Sequence, residues 1–246
     1  MKTKVVILAA GKGRRMNSDI PKVLLLINER PLLSYLVSSV KESGVDLSPV
    51  IVVSPENREI IQSTLNYTGP VAVQLEQKGT GSAVLAAQDF LGCDNVIVLY
   101  GDHPFISANT IKSLLALHIK EGSLLTLLTI LVDDFNEWRA PFSSFGKIVR
   151  SEDGRIERII EVKDATAEQL LIKEVNPAIF CFNREWLIEN LPKIKNENTQ
   201  GEFYLTDLVG MAMKQGVKIA SMTSNPMESI GINTKEHLEI ARFLAK

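Results

Sequence analysis

The sequence predicts an α/β fold built on a largely parallel sheet. Three observations carry this. Short, continuously apolar runs such as Val50 to Val53 (VIVV) and Asn95 to Tyr100 (NVIVLY) suit strands covered on both faces. These runs alternate with helical periodicity, giving β-α-β-α-β from Val5 to Leu75, the order that right-handed crossovers close into a parallel sheet. Polar and glycine-bearing segments follow the strands directly, where an open parallel sheet places its ligands.

Composition narrows the class. Of 246 residues, 45% are hydrophobic and 23% charged, as in an ordinary globular chain with one large core. The formal net charge of −2 gives no global basic field for nucleic acid. No apolar run reaches the length of a membrane span. Cys93 and Cys181, far apart and without an export signal, are expected to be reduced thiols of a cytoplasmic protein. The first strand begins almost at Met1, which leaves no room for a targeting peptide. His103, His118 and His237 make no zinc pattern. One domain over 1–246 is expected, with a homo-oligomer left open.

The first strand, Val5 to Leu8, enters the segment Leu8 to Lys22 (LAAGKGRRMNSDIPK). Gly11 and Gly13 clear the backbone for a close anion, and Lys12, Arg14, Arg15 and Lys22 place four cations within eleven residues. The segment reads as a loop that grips a nucleoside triphosphate. Glycine spacing alone would also suit a tight turn with a solvated basic face. It is not a dinucleotide fingerprint, because Met16 stands where the third glycine belongs, nor a P-loop, because G-x-x-x-x-G-K-[ST] is absent.

Pro31 to Glu42 follows as a helix with Pro31 in its first turn and Gly44 at its end. After the strand Val50 to Val53, a helix is expected over Asn57 to Leu65 and a strand over Val71 to Leu75. Gln74 to Gly81 (QLEQKGTG) then leaves that strand for a helix over Ser82 to Phe90. The Gln74 amide carries both donors and an acceptor, so it can pair with uracil or rotate to suit cytosine. Gln74 alone therefore cannot choose the base, and fixed backbone groups near Gly79 would have to do so.

The strand Asn95 to Tyr100 ends in Gly101-Asp102-His103-Pro104. A carboxylate at that strand end can hold a metal or cap a turn. His103 is expected only to pack or to face solvent. Further on come a helix over Ala108 to Glu121, a strand over Ser123 to Val132, and the polar and aromatic segment Asp133 to Ser144. That segment can be a lid, a surface loop or a subunit contact. Lys147–Arg150 and Ile156–Glu161 read as a strand pair about a turn at Asp153-Gly154. Lys147, Arg150, Arg155 and Arg158 read as a solvated basic face. Glu174 to Phe182 reads as one strand, followed by helices over Arg184 to Leu191 and Leu205 to Gln215, a strand over Val217 to Met222 and a helix over Lys235 to Ala245. Asn233 can cap this last helix or bind a metal.

Several of these segments match one family in order. L-x-x-G-x-G-x-R-M, four residues and Pro-Lys resembles the signature of sugar-nucleotide pyrophosphorylases, which join a sugar 1-phosphate to a nucleoside triphosphate and release pyrophosphate. Gln74 to Gly81 resembles Q-x-E-Q-x-G-T-G, Tyr100 to Pro104 resembles Y-G-D-x-P, and Phe145 to Ile148 resembles Y-G-R-I. Glu161 to Thr166 resembles E-x-K-D-A-T, and Asn198 to Asp207 resembles N-x-Q-G-E-Y-Y-L-T-D with Phe203 for Tyr. The whole is most similar to the uridyltransferase domain of bacterial N-acetylglucosamine-1-phosphate uridyltransferases.

The resemblance implies a Rossmann-like nucleotidyltransferase fold with a mixed, mainly parallel central sheet flanked by helices. It implies UTP and a sugar 1-phosphate as substrates, without nucleic acid or membrane. Arg15 and Lys22 would hold the triphosphate and the developing charge. Leu8, Ala10, Gly11, Gly13, Gln74, Gly79 and Thr80 would bind the nucleotide. Tyr100, Gly101, Gly146, Glu161, Asn176 and Tyr204 would bind the sugar, and Asp102 and Asn233 would hold Mg²⁺. No left-handed β-helix acetyltransferase domain is expected, because the chain ends at Lys246 without hexapeptide repeats, unless it is a fragment of a longer gene product. Three departures stand out. Ser82 replaces a common His. Pro177-Ala178 replaces Thr-Gly in N-T-G, where alanine should resist positive φ and close sugar approach. The Asp133 to Ser144 segment is longer than the usual turn. Acceptance of another sugar 1-phosphate or phosphorylated alcohol stays open, as does a non-catalytic nucleotide-binding regulator.

Overall fold

The structure, a computed structural model, describes residues 1–11 and 20–245. In chain order the elements begin β1 Thr3–Leu8, β2 Leu26–Ile27, β3 Arg30–Pro31, α1 Leu32–Ser43, β4 Val50–Val53, α2 Arg58–Leu65 and β5 Val71–Val73. They continue α3 Thr80–Ala86, β6 Asn95–Tyr100, α4 Ala108–Glu121, β7 Leu125–Leu131, β8 Gly146–Arg150 and β9 Ile156–Ile160. The last are β10 Glu174–Asn176, β11 Phe180–Asn183, α5 Arg184–Asn190, α6 Asp207–Lys214, β12 Ile219–Thr223 and α7 Lys235–Leu244.

The fold is Rossmann-like α/β. Its main sheet runs β5-β4-β1-β6-β11-β7-β10-β8-β9. The block β5, β4, β1 and β6 is parallel, as the sequence order predicts. From β6 onward the pairing is antiparallel through β11, β7, β10, β8 and β9. The far edge of β7 is shared, with β12 alongside Leu125 to Thr129 in parallel and β10 along Ile130 and Leu131.

Alternation along each central strand feeds two cores. Val6, Leu8, Val50, Val52, Val96 and Val98 face one side, where α3, α5 and α6 pack through Val84, Leu187 and Leu208. Val5, Ile7, Ile51, Val53, Ile97 and Leu99 face the other, against Leu36 and Val40 of α1 and Ile111 and Leu114 of α4. Two-sided burial is why these strands read as unbroken apolar runs. Among the described residues no helix is long and apolar enough to cross a membrane. Both cysteines are free thiols.

Four expectations need correction. The strand expected over Glu174 to Phe182 is broken into β10 and β11. Pro177 has no N–H for a ladder, and Ala178 takes a left-handed φ of +61°. Asn176 Oδ1 stabilises the break by accepting the Ala178 N–H at 2.9 Å. Ala178 thus adopts the positive φ that alanine was expected to resist. Lys147 is not on a solvated face: it is fully buried, with Nζ 4.2 Å from the Phe135 ring centroid and donating to the Ser143 carbonyl at 3.2 Å. Burial lowers its pKa to about 8. Arg150 is half-buried against Glu174, and Arg155 pairs with Asp153 in solvent. Pro31 caps α1 instead of opening its first turn, while Gly44 ends it at φ +69° as expected.

Candidate active site

The parallel strands β1, β5 and β6 deliver Leu8, Gln74 and Tyr100 to one edge of the sheet. A cavity of about 470 Å³ opens there. Leu8, Ala10, Gly11, Lys22, Gln74, Gly79, Thr80, Tyr100 and Asp102 all line it, which brings the described nucleotide-loop residues together with the Gln74 motif. Gly13 and Arg15 lie outside the described residues. A second cavity of about 260 Å³ adjoins it. Gly146, Glu161, Asn176, Tyr204 and Asn233 line this one, with Thr80, Tyr100, Asp102 and Gln200 common to both. Gly101 lies behind the wall: its N–H donates to the Leu8 carbonyl at 2.9 Å, and a Cβ would meet Val23 at 3.1 Å.

Lys22 stands at the seam. Its Nζ donates to Asp102 Oδ2 at 2.5 Å and to Asn233 Oδ1 at 2.9 Å. Burial pushes the Asp102 carboxyl up, but Lys22 and His103 outweigh it and hold the group below the ordinary carboxylate range. Asp102 caps no helix, since Ser107 caps α4. Nor does Asn233 cap the final helix, because Thr234 accepts from the His237 N–H there. Both oxygens are thereby left to converge on one cation.

This arrangement tests the metal expectation. A carboxylate and an amide oxygen are hard donors of the kind Mg²⁺ takes. The ammonium of Lys22 shows that the two oxygens meet at one positive charge. No group of three or more His, Cys, Asp or Glu side chains gathers among the described residues to make a fuller cage. A pair of protein oxygens suits an ion that keeps its waters and binds substrate phosphates. The residues fit.

The second motif is tied to the late one. The Phe203 N–H donates to the Lys78 carbonyl and the Gly81 N–H to the Phe203 carbonyl, both at 2.8 Å. The Leu205 N–H donates to Thr80 Oγ1 at 2.9 Å. Gly79 sits in this clamp at φ +106°, and a Cβ there would lie 2.6 Å from the Phe203 carbonyl oxygen. Only glycine fits both constraints. Within residues 198–207 the sequence singles out Tyr204 as a site residue; the structure adds Phe203 as a backbone clamp and Gln200 as a wall of both cavities, for which the ten-residue match is the signal.

In the second cavity Glu161 Oε1 accepts from Thr206 Oγ1 at 3.1 Å. Burial, with Asp207 and Asp164 nearby, raises its pKa above the usual range. His103, expected to pack or face solvent, is buried and lines this cavity. The segment after Asp133 is neither a free loop nor a detached lid. Its 3₁₀ stretch Glu137–Ser144 buries Phe142 in a small core, and Ser144 and Phe145 form cavity wall. Ring contacts run from Trp138 to Phe142 at 6.3 Å, on to Phe145 at 5.3 Å, and to His103 at 5.9 Å.

Bifunctional protein GlmU of Clostridium acetobutylicum is 38% identical over 245 residues, which is 98% of this chain and 52% of that protein. Bifunctional protein GlmU of Exiguobacterium sibiricum is 40% identical over 233 residues, 94% of this chain and 50% of that one. The chain spans about half the length of these curated relatives. Among solved structures, a Bacillus anthracis protein described as a glucose-1-phosphate thymidylyltransferase, in complex with sucrose, superposes with a TM-score of 0.79 at 21% identity, covering 99% of this chain and 95% of that one. A UDP-glucose pyrophosphorylase complexed with UDP-glucose superposes with a TM-score of 0.76 at 18% identity, over 100% of both chains. At such identities the likeness shows a shared fold. Residues 5–193 match the MobA-like NTP transferase domain, so the chain belongs to that family and is a nucleotidyltransferase.

Proposed function

We propose that the protein transfers a uridylyl group from UTP to a sugar 1-phosphate, with N-acetylglucosamine 1-phosphate as the acceptor, and releases pyrophosphate. The observation that carries this is the Lys22 ammonium at the junction of two cavities that share Thr80, Tyr100, Asp102 and Gln200. One cavity bears the nucleotide motifs and the other the sugar motifs, so the reacting phosphates would meet at the cation. The relatives named GlmU and the pyrophosphorylase neighbour bound to UDP-glucose support the same class of chemistry.

The sugar phosphate is a dianion and already a nucleophile, so no general base or covalent intermediate is needed. The protein's work is positioning and charge neutralisation. Gln74 and Gly79 orient the base, while Gly146, Glu161, Asn176 and Tyr204 orient the sugar. Lys22, with Arg15 of the same sequence motif, meets the charge that develops as the bond from the α-phosphorus to the leaving pyrophosphate breaks. Asp102 and Asn233 would hold Mg²⁺, which when bound neutralises phosphate charge. Partial burial of Tyr100 and burial of the Asp102 carboxylate lower the local dielectric at the junction, where a fixed charge counts for more than in water.

A second acceptor reading has its own observation. Pro177 and Ala178 line the sugar cavity where the resembled motif carries Thr-Gly. This favours looser discrimination among hexose 1-phosphates. Pyrophosphate release with four triphosphates and N-acetylglucosamine, glucose and galactosamine 1-phosphates tests both readings. UTP with N-acetylglucosamine 1-phosphate should give the highest kcat/KM. A different best donor would overturn the uridylyl assignment.

A further inference from the structure

Gln74 is buried in the wall of the larger cavity. Its Nε2 donates to the Gly79 carbonyl at 3.0 Å and to Ser82 Oγ at 2.6 Å. A carbonyl oxygen only accepts, so the amide atom facing Gly79 is nitrogen. The Ser82 hydroxyl donates its own hydrogen to that same carbonyl, at 3.0 Å. Only its lone pairs remain for Gln74, so Ser82 also demands a donor. The Gly79 carbonyl cannot turn away, because it accepts the first helical bond of α3, from Ala83 N–H at 3.2 Å.

Both amide hydrogens of Gln74 are therefore spent inside the wall. Its Oε1 accepts from no described residue. Gln74 lines the larger cavity, so this oxygen is the amide atom left to meet a ligand there. The free rotation that the sequence reading allowed this amide does not survive the geometry.

We propose that Ser82 is a positioning residue for base selection: with the Gly79 carbonyl it locks the Gln74 amide oxygen outward, so that the donor site accepts a pyrimidine presenting a ring N–H and rejects one presenting a bare ring nitrogen. Uracil offers its N3–H to that oxygen. Cytosine offers the N3 lone pair, and two acceptors would face each other without a proton. An amide able to turn would donate to cytosine instead, which is why the lock, and not the glutamine alone, discriminates. Uracil and thymine share this edge and are not separated by it. The proposal rests on the UTP reading above.

The test compares wild type, Ser82→Ala and Ser82→Thr. Calorimetry gives Kd for UDP and CDP, and steady-state assays give kcat/KM for UTP and CTP. Alanine is the best helix former, so α3 should stand and melting temperatures should agree. Wild type should prefer the uridine nucleotide. Ser82→Ala removes one of two acceptors holding the amide, and the preference should fall about tenfold, through KM and Kd, the scale of one polar contact. Ser82→Thr keeps a hydroxyl and should keep the preference. An unchanged UDP-to-CDP ratio in Ser82→Ala would overturn the role of Ser82. Equal affinity of wild type for UDP and CDP would overturn the lock itself. Selective UDP binding without pyrophosphate release from UTP would uphold the lock while overturning the transfer reaction on which it was placed.

Discussion

Lys22 Nζ lies 2.5 Å from Asp102 Oδ2, across 80 residues of sequence, with both side chains largely buried. A buried ion pair of this kind costs desolvation that its Coulomb attraction only partly offsets. Its location at the join of two cavities gives it a use beyond stability. The same two charges serve opposite needs, since Lys22 suits phosphate oxygens and Asp102 suits a cation.

Lys22→Met should separate those needs. Turnover should fall about tenfold to a thousandfold, the range for losing a charged contact in the transition state. Removal of the resident ammonium leaves the Asp102 and Asn233 oxygens open, so Mn²⁺ binding, followed by electron paramagnetic resonance, should tighten. Lys12→Ala, outside the matched Arg and Lys positions, should affect turnover far less. Equal losses in the two variants would mean that the segment acts only through diffuse positive charge.

Asp102→Ala should still fold, because the side chain caps no helix, but with lower stability, since Lys22 loses its buried partner. Its kcat/KM should drop about a hundredfold or more, and Mn²⁺ affinity should fall with it. Near-normal turnover at limiting Mg²⁺ would remove Asp102 from the metal site.

Ala178 holds φ +61° at the break between β10 and β11. Ala178→Gly relieves a left-handed conformation worth about 1–2 kcal/mol but loosens the unfolded chain by up to about 1 kcal/mol. Stability by urea unfolding should be unchanged or slightly higher. Pro177→Thr/Ala178→Gly should also raise the preference for N-acetylglucosamine 1-phosphate over glucose and galactosamine 1-phosphates. No gain in that preference would clear these two residues of any part in acceptor choice.

Lys147 supplies a pH signature. Its pKa is depressed by burial from 10.5 to about 8. Between those values the unfolded chain holds a proton that the folded chain lacks, so stability rises with pH through this window. Below about pH 8 the full penalty applies, at most about 3 kcal/mol. Lys147→Met should therefore be most stabilised relative to wild type at pH 7, with the gap in Tm narrowing toward pH 10. A gap independent of pH would contradict the depressed pKa.

The parallel half of the fold was legible because its strands are buried on both faces and read as apolar runs. Asn95–Tyr100 and Ala108–Glu121 match their expected bounds. The break at Pro177-Ala178 was not read as a break, although proline within a strand pattern is a warning. Lys147 misled because charge in sequence says nothing of which face of β8 it occupies. Part of the candidate site was legible as motifs, since Gln74, Asp102 and Glu161 stand just past the ends of strands. Their junction was not, because the Lys22–Asn233 contact spans 211 residues. Nor was the fixed Gln74 amide, which depends on where the Gly79 carbonyl points.

The most direct measurement of the central claim is ³¹P NMR of wild-type protein with UTP, N-acetylglucosamine 1-phosphate and Mg²⁺. The account predicts the loss of both substrates with equal appearance of pyrophosphate and a UDP-sugar, and the reverse reaction on adding pyrophosphate. UTP consumed to UDP and phosphate, or no UDP-sugar from any hexose 1-phosphate, would contradict it.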